Sequence, residues 1–257
     1  PGVCLRGSGA ARTILDGKGA GETLVDLSRA PGSAVSGFTF RGVGMADRGC
    51  GAPANPLACS GDWYAAGIYM GGMDWRSPLL DAPPLISNNI FESNFIAMML
   101  YWRSMAVVRN NLFVNNRYGL VSSHFQSRAL VANNVFWKNQ EMAISNHAAS
   151  LDILNNVIVS SSVGIFFEYV QTGWIRCNQF FEVAWPQKDA NYVPPRFTLG
   201  QDGNVRIDPR FVDPANGDFR LRPDAPGRGA GCYAGRVRNS DGSDEDVGAY
   251  GGPLGGW

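Results

Sequence analysis

The sequence has little of what would assign it at once to a functional class. It has only two histidines and five cysteines in 257 residues, and its formal net charge is zero. No apolar run approaches the roughly 20 residues that a membrane-spanning helix needs. A neutral chain has no overall field that steers it toward nucleic acid or an anionic membrane. We therefore expect no nucleic-acid partner and no membrane insertion.

A repeat runs through the middle of the chain. The segments SNNIF, RNNLF, ANNVF, LNNVI and RCNQF recur in phase, 22 or 23 residues apart. Each of the first four carries two asparagines in succession, and in the fifth Cys177 replaces the first asparagine. A constant period of this kind indicates a repeat architecture. The second polar residues of the five segments are Asn89, Asn111, Asn134, Asn156 and Asn178.

The repeating unit is predicted to consist of strands. Its apolar runs are short and separated by polar turns, and none sustains a helical stripe. A period of about 22 residues suits one coil of a parallel β-helix with three short strands, whose apolar side is buried only against neighbouring coils. Asparagines on successive coils then stack about 4.8 Å apart and satisfy one another's amides. The asparagines are therefore interpreted as structural residues and not as ligands.

The NN-apolar-F repeats resemble those of the pectin-lyase-like superfamily. LRGSGAARTILDG followed by SAVSGFTFRG is similar to the first coils of such proteins, and DPRFVDPANGDFRLRPDAPGRGAG with DVGAYGG resembles the closing region of bacterial secreted members. The resemblance implies an all-β, right-handed parallel β-helix located outside the cell or in the periplasm. It implies no single activity, because the superfamily includes lyases, hydrolases, epimerases and non-catalytic surface proteins. The GHG, RIK, WIDH-like and DPHE-like motifs of its enzymes are absent, so no catalytic residue is carried over.

One β-helix domain, residues 1–257, is predicted. Insertions are expected at about 43–65, 71–84 and 183–204, and a closing coil with a C-terminal cap at 205–257.

The cysteines suggest an oxidising compartment. Cys50 and Cys59 lie in RGCGAPANPLACSG, where a local disulfide would hold the loop together. Cys4, Cys177 and Cys232 are expected to be small buried residues, with one bridged pair among them as the alternative.

The two histidines, His124 and His147, are one repeat apart. Counting from the asparagines places them on adjacent coils of one exposed turn face, with Tyr101 and Tyr169 in the same column. Aromatic rings and arginines at this face suit sugar rings and carboxylates, and a histidine or tyrosine beside a carboxylate suits acid–base chemistry. The predicted catalytic residues are His124, His147, Arg103, Tyr101 and Glu168, and the predicted substrate-binding residues are Trp75, Arg76, Trp102, Tyr169 and Asp74.

We therefore expect a secreted or surface β-helix protein that binds a polysaccharide or oligosaccharide, with an acidic one favoured, and that cleaves or epimerises it. Lyase chemistry needs a base and an arginine to stabilise developing negative charge. Hydrolysis needs two carboxylates at a fixed separation, and Asp74 and Glu168 are several coils apart. Lyase-like chemistry is thus favoured over hydrolysis. The alternative is a non-catalytic structural or adhesive β-helix.

Two weaker candidate sites remain. A groove at another turn would be floored by Glu92, Asn94, Asn115, Arg117, Trp137, Lys138 and Glu141. The segment NSDGSDEDVG resembles part of a calcium loop through Asp241, Asp244 and Asp246, although it lacks the full spacing and the terminal glutamate. A solvated acidic turn is the favoured interpretation there, and no other metal or cofactor is predicted.

Overall fold

Each repeat of the asparagine pattern folds into three short strands, one in each of three parallel sheets. The structure is a computed structural model that describes residues 2–44, 65–71, 82–123, 126–169, 173–190, 195–233 and 235–257. Strands of successive coils pair parallel and in register, as in Leu112 with Val135 and Val135 with Val157. The described part of the chain contains no α-helix. It therefore also contains no helix long and apolar enough to span a membrane. These features confirm the predicted all-β parallel β-helix.

Strands are numbered in chain order. Sheet A contains β1 (Cys4–Arg6), β4 (Ala34–Ser36), β7 (Leu85–Ser87), β10 (Met105–Arg109), β13 (Arg128–Ala132), β16 (Ser150–Leu154) and β19 (Ile175–Arg176). Sheet B contains β2 (Ile14–Asp16), β5 (Thr39–Arg41), β8 (Ile90–Glu92), β11 (Leu112–Val114), β14 (Val135–Trp137), β17 (Val157–Val159), β20 (Gln179–Phe181) and β22 (Val205–Arg206). Sheet C contains β3 (Val25–Asp26), β6 (Ile68–Gly71), β9 (Ile96–Tyr101), β12 (Tyr118–Ser123), β15 (Met142–His147), β18 (Val163–Phe167) and β21 (Trp185–Asp189). An antiparallel hairpin, β23 (Phe211–Asp213) and β24 (Asp218–Leu221), encloses a 3₁₀ turn at Pro214–Asn216.

A stack of phenylalanines fills the interior behind sheet B. Phe91, Phe113 and Phe136 lie on successive coils, with ring centroids 4.8 and 4.5 Å apart and nearly parallel planes. Opposite the stack, a Cβ added to Gly119 would lie 3.0 Å from the Phe136 ring, so the close packing requires a glycine there. Removing one such ring would cost about 3–5 kcal/mol.

The second asparagine of each pair forms a ladder inside the corner between sheets A and B. The side-chain oxygen of Asn134 accepts from the backbone N–H and the side-chain amide of Asn111, at 3.0 and 3.1 Å. Asn134 in turn donates to the Oδ1 of Asn156, and Asn156 to that of Asn178. These side chains are fully buried. The ladder thus satisfies one buried polar residue per coil, as predicted, and it continues to Asn204.

A second ladder lies in the corner between sheets B and C. Asn94 donates to Oδ1 of Asn116, and Asn116 donates to Oδ1 of Asn139. All three side chains are buried. Asn94 therefore has a structural role here, although the sequence placed it on the floor of the alternative groove.

The first asparagine of each pair has a different role from the one predicted. Asn88, Asn110, Asn133 and Asn155 do not continue the ladder but adopt left-handed backbone conformations, with φ between 52° and 57°. Asparagine tolerates this region better than most residues, and in an earlier coil Gly37 takes the corresponding conformation, with φ of 78°.

The side chains of these four asparagines bind the C-terminal segment, residues 211–257. Asn155 accepts from the N–H of Cys232, while Asn133, Asn110 and Asn88 donate to carbonyls of Asp246, Gly251 and Leu254 respectively. The segment therefore runs along the side of the solenoid, past one coil after another.

The C-terminal segment packs over the outer face of sheet B. Phe211, Phe219 and Val247 bury the outward side chains of strands such as Val135 and Val157. The predicted closing coil is represented by β22, which extends sheet B beyond β20. The rest of this region was expected to form a cap at the end of the solenoid. Instead, the described residues of the C-terminal segment cover the flank of several coils.

A disulfide joins Cys177 to Cys232, with Cα atoms 5.5 Å apart. It ties the coil in which cysteine replaces the first asparagine to the C-terminal segment. One bridged pair among the three cysteines outside the Cys50–Cys59 loop was the alternative expectation, and Cys4 is exposed and has no disulfide partner among the described residues. Cys50 and Cys59 lie outside the described residues.

The third predicted insertion begins later than expected. Residues Trp185–Asp189 form β21 and pair with β18, so the coil continues through sheet C. The extra length follows that strand, because Asn178 and Asn204 are 26 residues apart instead of 22 or 23. The first two predicted insertions lie largely outside the described residues.

Candidate functional site

The corner between sheets C and A, hereafter the C–A corner, differs from one coil to the next. It joins Tyr101 to Met105 in one coil and His147 to Ser150 in a later one. Neither asparagine ladder passes through it, so the turn is not held to a single geometry. Functional side chains commonly lie on such loops, because a regular scaffold positions them.

The histidine register is shifted by one residue from the prediction. Strand pairing aligns Tyr101 with Ser123, and Ser123 with His147. Asn146 pairs with Phe167 of the next coil, so Glu168 lies opposite His147 and contacts it. Adding the asparagine spacing placed His124 in this column, but the variable turn length makes that count inexact. His124 itself lies outside the described residues.

His147 is the centre of a hydrogen-bonded chain. Its Nδ1 is 2.5 Å from Oε2 of Glu168, and its Nε2 is 2.7 Å from Oγ of Ser145. The Phe166 ring lies 5.3 Å from the imidazole. His147 is 5% exposed, whereas the Glu168 side chain is 26% exposed. The face is therefore more buried at the histidine than the sequence predicted, because the side chain points into contacts with its own strand and the next coil.

Asn146 fixes the turn that follows the histidine. Its Oδ1 accepts from the N–H groups of Ala148 and Ala149, and its Nδ2 donates to the carbonyl of Ala149. Ala148 has φ of 134°, a region that residues with a Cβ rarely adopt. Backbone strain of this kind costs roughly 1–3 kcal/mol and is often found beside functional residues. The turn thus holds His147 in one position beside Glu168.

The predicted residues Tyr101, Trp102 and Arg103 form the same corner on an earlier coil. The Tyr101 ring lies 6.4 Å from Tyr69 and 6.2 Å, edge-on, from Trp102. Trp102 and Arg103 both have positive φ, at 35° and 50°. Tyr101 is buried and the other two are half-buried. The structure therefore brings these three together, two coils before His147.

Of the other predicted site residues, Tyr169 is described and half exposed, directly after Glu168. Asp74, Trp75 and Arg76 lie outside the described residues.

The sequence did not reveal a groove on the outer face of sheet A, which begins where the C–A corner ends. The groove encloses about 470 Å³. Its sides include Met105, Arg128, Leu130, Ser150, Asp152 and Trp174. Trp174 is 59% exposed, its backbone N–H donates to Oδ1 of Asp152, and the Arg176 guanidinium lies 3.9 Å from the centre of its ring. The sequence pattern that could have indicated this groove is the set of outward-facing residues at alternating positions of β13 and β16.

The alternative groove between sheets B and C is partly filled. The Trp137 ring contacts Phe211 and Phe219 of the C-terminal segment, at 6.0 and 5.5 Å. Arg117 forms an ion pair with Glu141 at 3.5 Å. These contacts account structurally for three of the residues that the sequence assigned to its floor.

The candidate calcium residues are occupied by protein partners. Asp241 accepts from the N–H and hydroxyl of Ser243, which hold the pKa of its carboxyl below the usual value. Asp244 forms an ion pair with Arg238. Oδ1 of Asp246 accepts from the N–H of Gly229 at 2.7 Å. Within the described ranges, no group of three or more His, Cys, Asp or Glu side chains is arranged to hold a metal ion.

The fold defines a parallel β-helix protein. A family model described as "Periplasmic copper-binding protein (NosD)" matches residues 84–184, which is less than half of the chain. The matched stretch contains the coils of the asparagine repeat. Searches of curated proteins and of solved structures gave no match. The periplasmic family and the Cys177–Cys232 disulfide together confirm the expected location outside the cytoplasm.

Proposed function

We propose that this protein binds a polysaccharide chain, preferably an acidic one, in the groove of sheet A. The observation that carries the proposal is the position of that groove beside the His147–Glu168 pair. Ser150 lines the groove and follows His147 by three residues. A ligand lying in the groove therefore approaches the turn that holds the pair.

Trp174 is the main binding residue in this proposal. Its ring offers a flat apolar face of the kind that packs against a sugar ring. The bond from its backbone N–H to Asp152 fixes the main chain at this residue, and the Arg176 guanidinium packs against one face of the ring. This order before a ligand arrives reduces the entropy lost on binding. The matched exposed tryptophan of sheet C is Trp185, which is 60% exposed and does not line the groove.

Arginines provide the preference for acidic sugars. Arg128 lines the groove and is exposed, and Arg176 is adjacent through Trp174. A guanidinium can bind a carboxylate through two parallel hydrogen bonds. Asp152 adds an acceptor for sugar hydroxyl groups. The mixture suits a uronic-acid polymer better than a neutral glucan.

The His147–Glu168 pair supplies proton transfer in the proposed reaction. A carboxylate on Nδ1 leaves Nε2 as the basic nitrogen and stabilises the imidazolium once a proton is taken. In a lyase-like elimination, His147 is the base and Arg103 stabilises the developing negative charge. His124 remains a predicted second histidine of this reaction.

Copper binding is the function that the name of the matched family suggests. The described residues do not fit a copper site, because His147 is the only histidine among them and its Nδ1 already contacts Glu168. The described ranges also contain no cluster of metal-ligating side chains. A copper site usually combines several nitrogen or sulfur ligands. No step of the proposed reaction therefore uses copper.

Affinity electrophoresis in gels that contain polygalacturonate, alginate or a neutral glucan tests the proposal. We expect retardation by a uronate polymer, loss of retardation in Trp174→Ala and wild-type retardation in Trp185→Ala. Absorbance of unsaturated uronates then tests elimination. Unretarded migration in all three gels would contradict binding, and equal losses in both variants would contradict the assigned groove. Isothermal titration with Cu²⁺ gives no heat of specific binding if copper is not the ligand.

A further inference from the structure

Ser145 contacts the histidine of the candidate site, although neither the repeat pattern nor the family match points to it. Its Oγ lies 2.7 Å from Nε2 of His147, and Nδ1 of the same ring lies 2.5 Å from Glu168. Ser145 and His147 are two positions apart on β15, so both project from the same face of the strand. Glu168 reaches His147 from the adjacent coil. The three groups therefore form one chain of hydroxyl, imidazole and carboxylate.

From this geometry we infer that Ser145, His147 and Glu168 form a nucleophilic triad that hydrolyses acyl esters. The substrate class is a sugar hydroxyl that carries an acyl group, as on an O-acylated polysaccharide. The assignment of a sugar as the alcohol rests on the proposed function. The nucleophilic chemistry of Ser145 rests only on the contacts of these three side chains.

The arrangement meets the two geometric requirements for an activated serine. The nucleophile is within hydrogen-bond reach of the base, and the base is oriented by a third group on its other nitrogen. With the Nδ1 proton donated to Glu168, Nε2 is the acceptor for the serine proton. Low exposure of Ser145 and His147 limits screening by water and strengthens the electrostatic interaction with Glu168.

The reaction balances with water as the second substrate. Oγ of Ser145 attacks the acyl carbonyl carbon while its proton passes to Nε2 of His147. The bond from the acyl carbon to the sugar oxygen then breaks, and His147 returns the proton to that oxygen. Water attacks the acyl-serine in the same way, which releases a carboxylic acid and restores the hydroxyl group. Glu168 holds the imidazole and stabilises its positive charge throughout.

Glu168 is the member of the triad that is most exposed to solvent. Ser145 is fully buried and His147 is nearly so, whereas about a quarter of the Glu168 side chain is exposed. A small acyl group, such as acetyl, therefore fits the inference better than a long one. This requirement makes covalent labelling the sharpest test, because a purely structural serine at this depth does not react.

The first experiment treats the folded protein with a small fluorophosphonate and locates the adduct by peptide mass spectrometry. We expect an adduct on Ser145 that disappears in His147→Ala and in heat-unfolded protein. Ser161→Ala is the matched control, because Ser161 is also buried but lies at the corner between sheets B and C, where its hydroxyl donates to the carbonyl of Val159. That variant should label like the wild type. Absence of an adduct on Ser145 in folded protein overturns the triad.

The second experiment measures hydrolysis of p-nitrophenyl acetate, which contains no sugar. Ser145→Ala and Glu168→Gln should lower kcat/KM by more than about 100-fold, with circular dichroism confirming the fold. Should Ser145→Ala fail to fold, Glu168→Gln at the more exposed position carries the test. Because p-nitrophenyl acetate contains no sugar, its hydrolysis by the wild type reports on the triad alone. Retardation of the wild type in the uronate gel reports on glycan binding alone, so failure of the triad and failure of glycan binding are distinguished. Wild-type rates in Glu168→Gln overturn the inference.

Discussion

Polar groups are arranged differently at two corners of the same coils: the corner between sheets A and B, hereafter the A–B corner, and the C–A corner. At the A–B corner every coil repeats one asparagine in one position, and each amide binds the amide of the next coil. At the C–A corner the aligned residues are Tyr101, Ser123 and His147, and the turn lengths differ. Because the same residue repeats at the A–B corner, every buried asparagine there has another asparagine as its partner. At the C–A corner the residue changes from coil to coil, so chemically different groups can come together.

The two corners should also differ in their contribution to stability. Leaving a buried donor or acceptor unpaired costs about 1–3 kcal/mol, and each ladder asparagine satisfies several such groups. At the C–A corner Glu168 is partly exposed, so water can replace its contact with His147. We therefore expect the A–B corner to dominate stability and the C–A corner to dominate function.

The largest effect is expected for Asn134→Ala. The substitution removes the acceptor for two donors of Asn111 and leaves the carbonyls of Val108 and Ala132 without their amide donor. The free energy of unfolding, measured in urea, should fall by about 3–5 kcal/mol. The control is Asn115→Ala, an exposed position with φ of 55°, which should cost about 1 kcal/mol. Equal losses in the two variants would contradict the structural importance of the ladder.

The next largest effect is expected when the Cys177–Cys232 disulfide is removed. The bridge closes a loop with a sequence separation of 55 residues, so Cys177→Ser with Cys232→Ser should lower unfolding free energy by about 2–4 kcal/mol. Hydrogen exchange should rise first in the C-terminal segment, because only the bonds of the four left-handed asparagines and the packing on sheet B would then hold it. Uniform exchange across all sheets would contradict that order of release.

A smaller effect on stability is expected at the C–A corner. Glu168→Gln keeps the shape of the side chain but removes its charge, and should lower the free energy of unfolding by about 1 kcal/mol or less. Thermal melting should therefore change little while acid–base activity is lost. A loss as large as that of Asn134→Ala would show that the pair is mainly structural.

The smallest effect is a pH dependence that arises in the C-terminal segment. Glu245 is buried there beside Arg109, and burial raises the pKa of its carboxyl. The folded state therefore favours the protonated form, so this contribution to stability is full below the ordinary glutamate pKa of about 4.3 and is lost as pH rises through the raised pKa. Glu245→Gln should remove this decline in melting temperature. An unchanged difference in Tm between about pH 4 and pH 7 would contradict the assignment.

The repeat predicted the solenoid well because period and side-chain type are local properties of the chain. The spacing of Asn89, Asn111 and Asn134 defines the coil, and the structure places them in one ladder. Counting by the same spacing misplaced the histidine column by one residue. The count assumes that every turn has the same length, whereas the length of the C–A turn varies from coil to coil. The binding of Asn133 to Asp246 was unpredictable, because the two residues are 113 positions apart and no period connects them.

The candidate site was predictable only in part. Tyr101, His147 and Glu168 were predicted from residue types that carry chemistry, and the structure places His147 against Glu168. Their functional role stays a prediction. Ser145 was missed, because a serine in a buried strand has no distinctive signal until its distance to His147 is known. Trp174 was missed because it follows a turn of irregular length, which obscured its place on the outer face of sheet A.

We propose that ligand binds at the groove beside the C–A corner and not at the regular face of the solenoid. The most direct measurement follows the indole N–H signals of the protein by ¹H–¹⁵N NMR during titration with the oligosaccharide of the glycan that retards it. The Trp174 signal is assigned by its loss in Trp174→Ala. We predict that it shifts in a saturable manner while the signals of Trp137 and Trp185 stay in place. Saturable shifts of Trp137 or Trp185 with an unchanged Trp174 signal would contradict it.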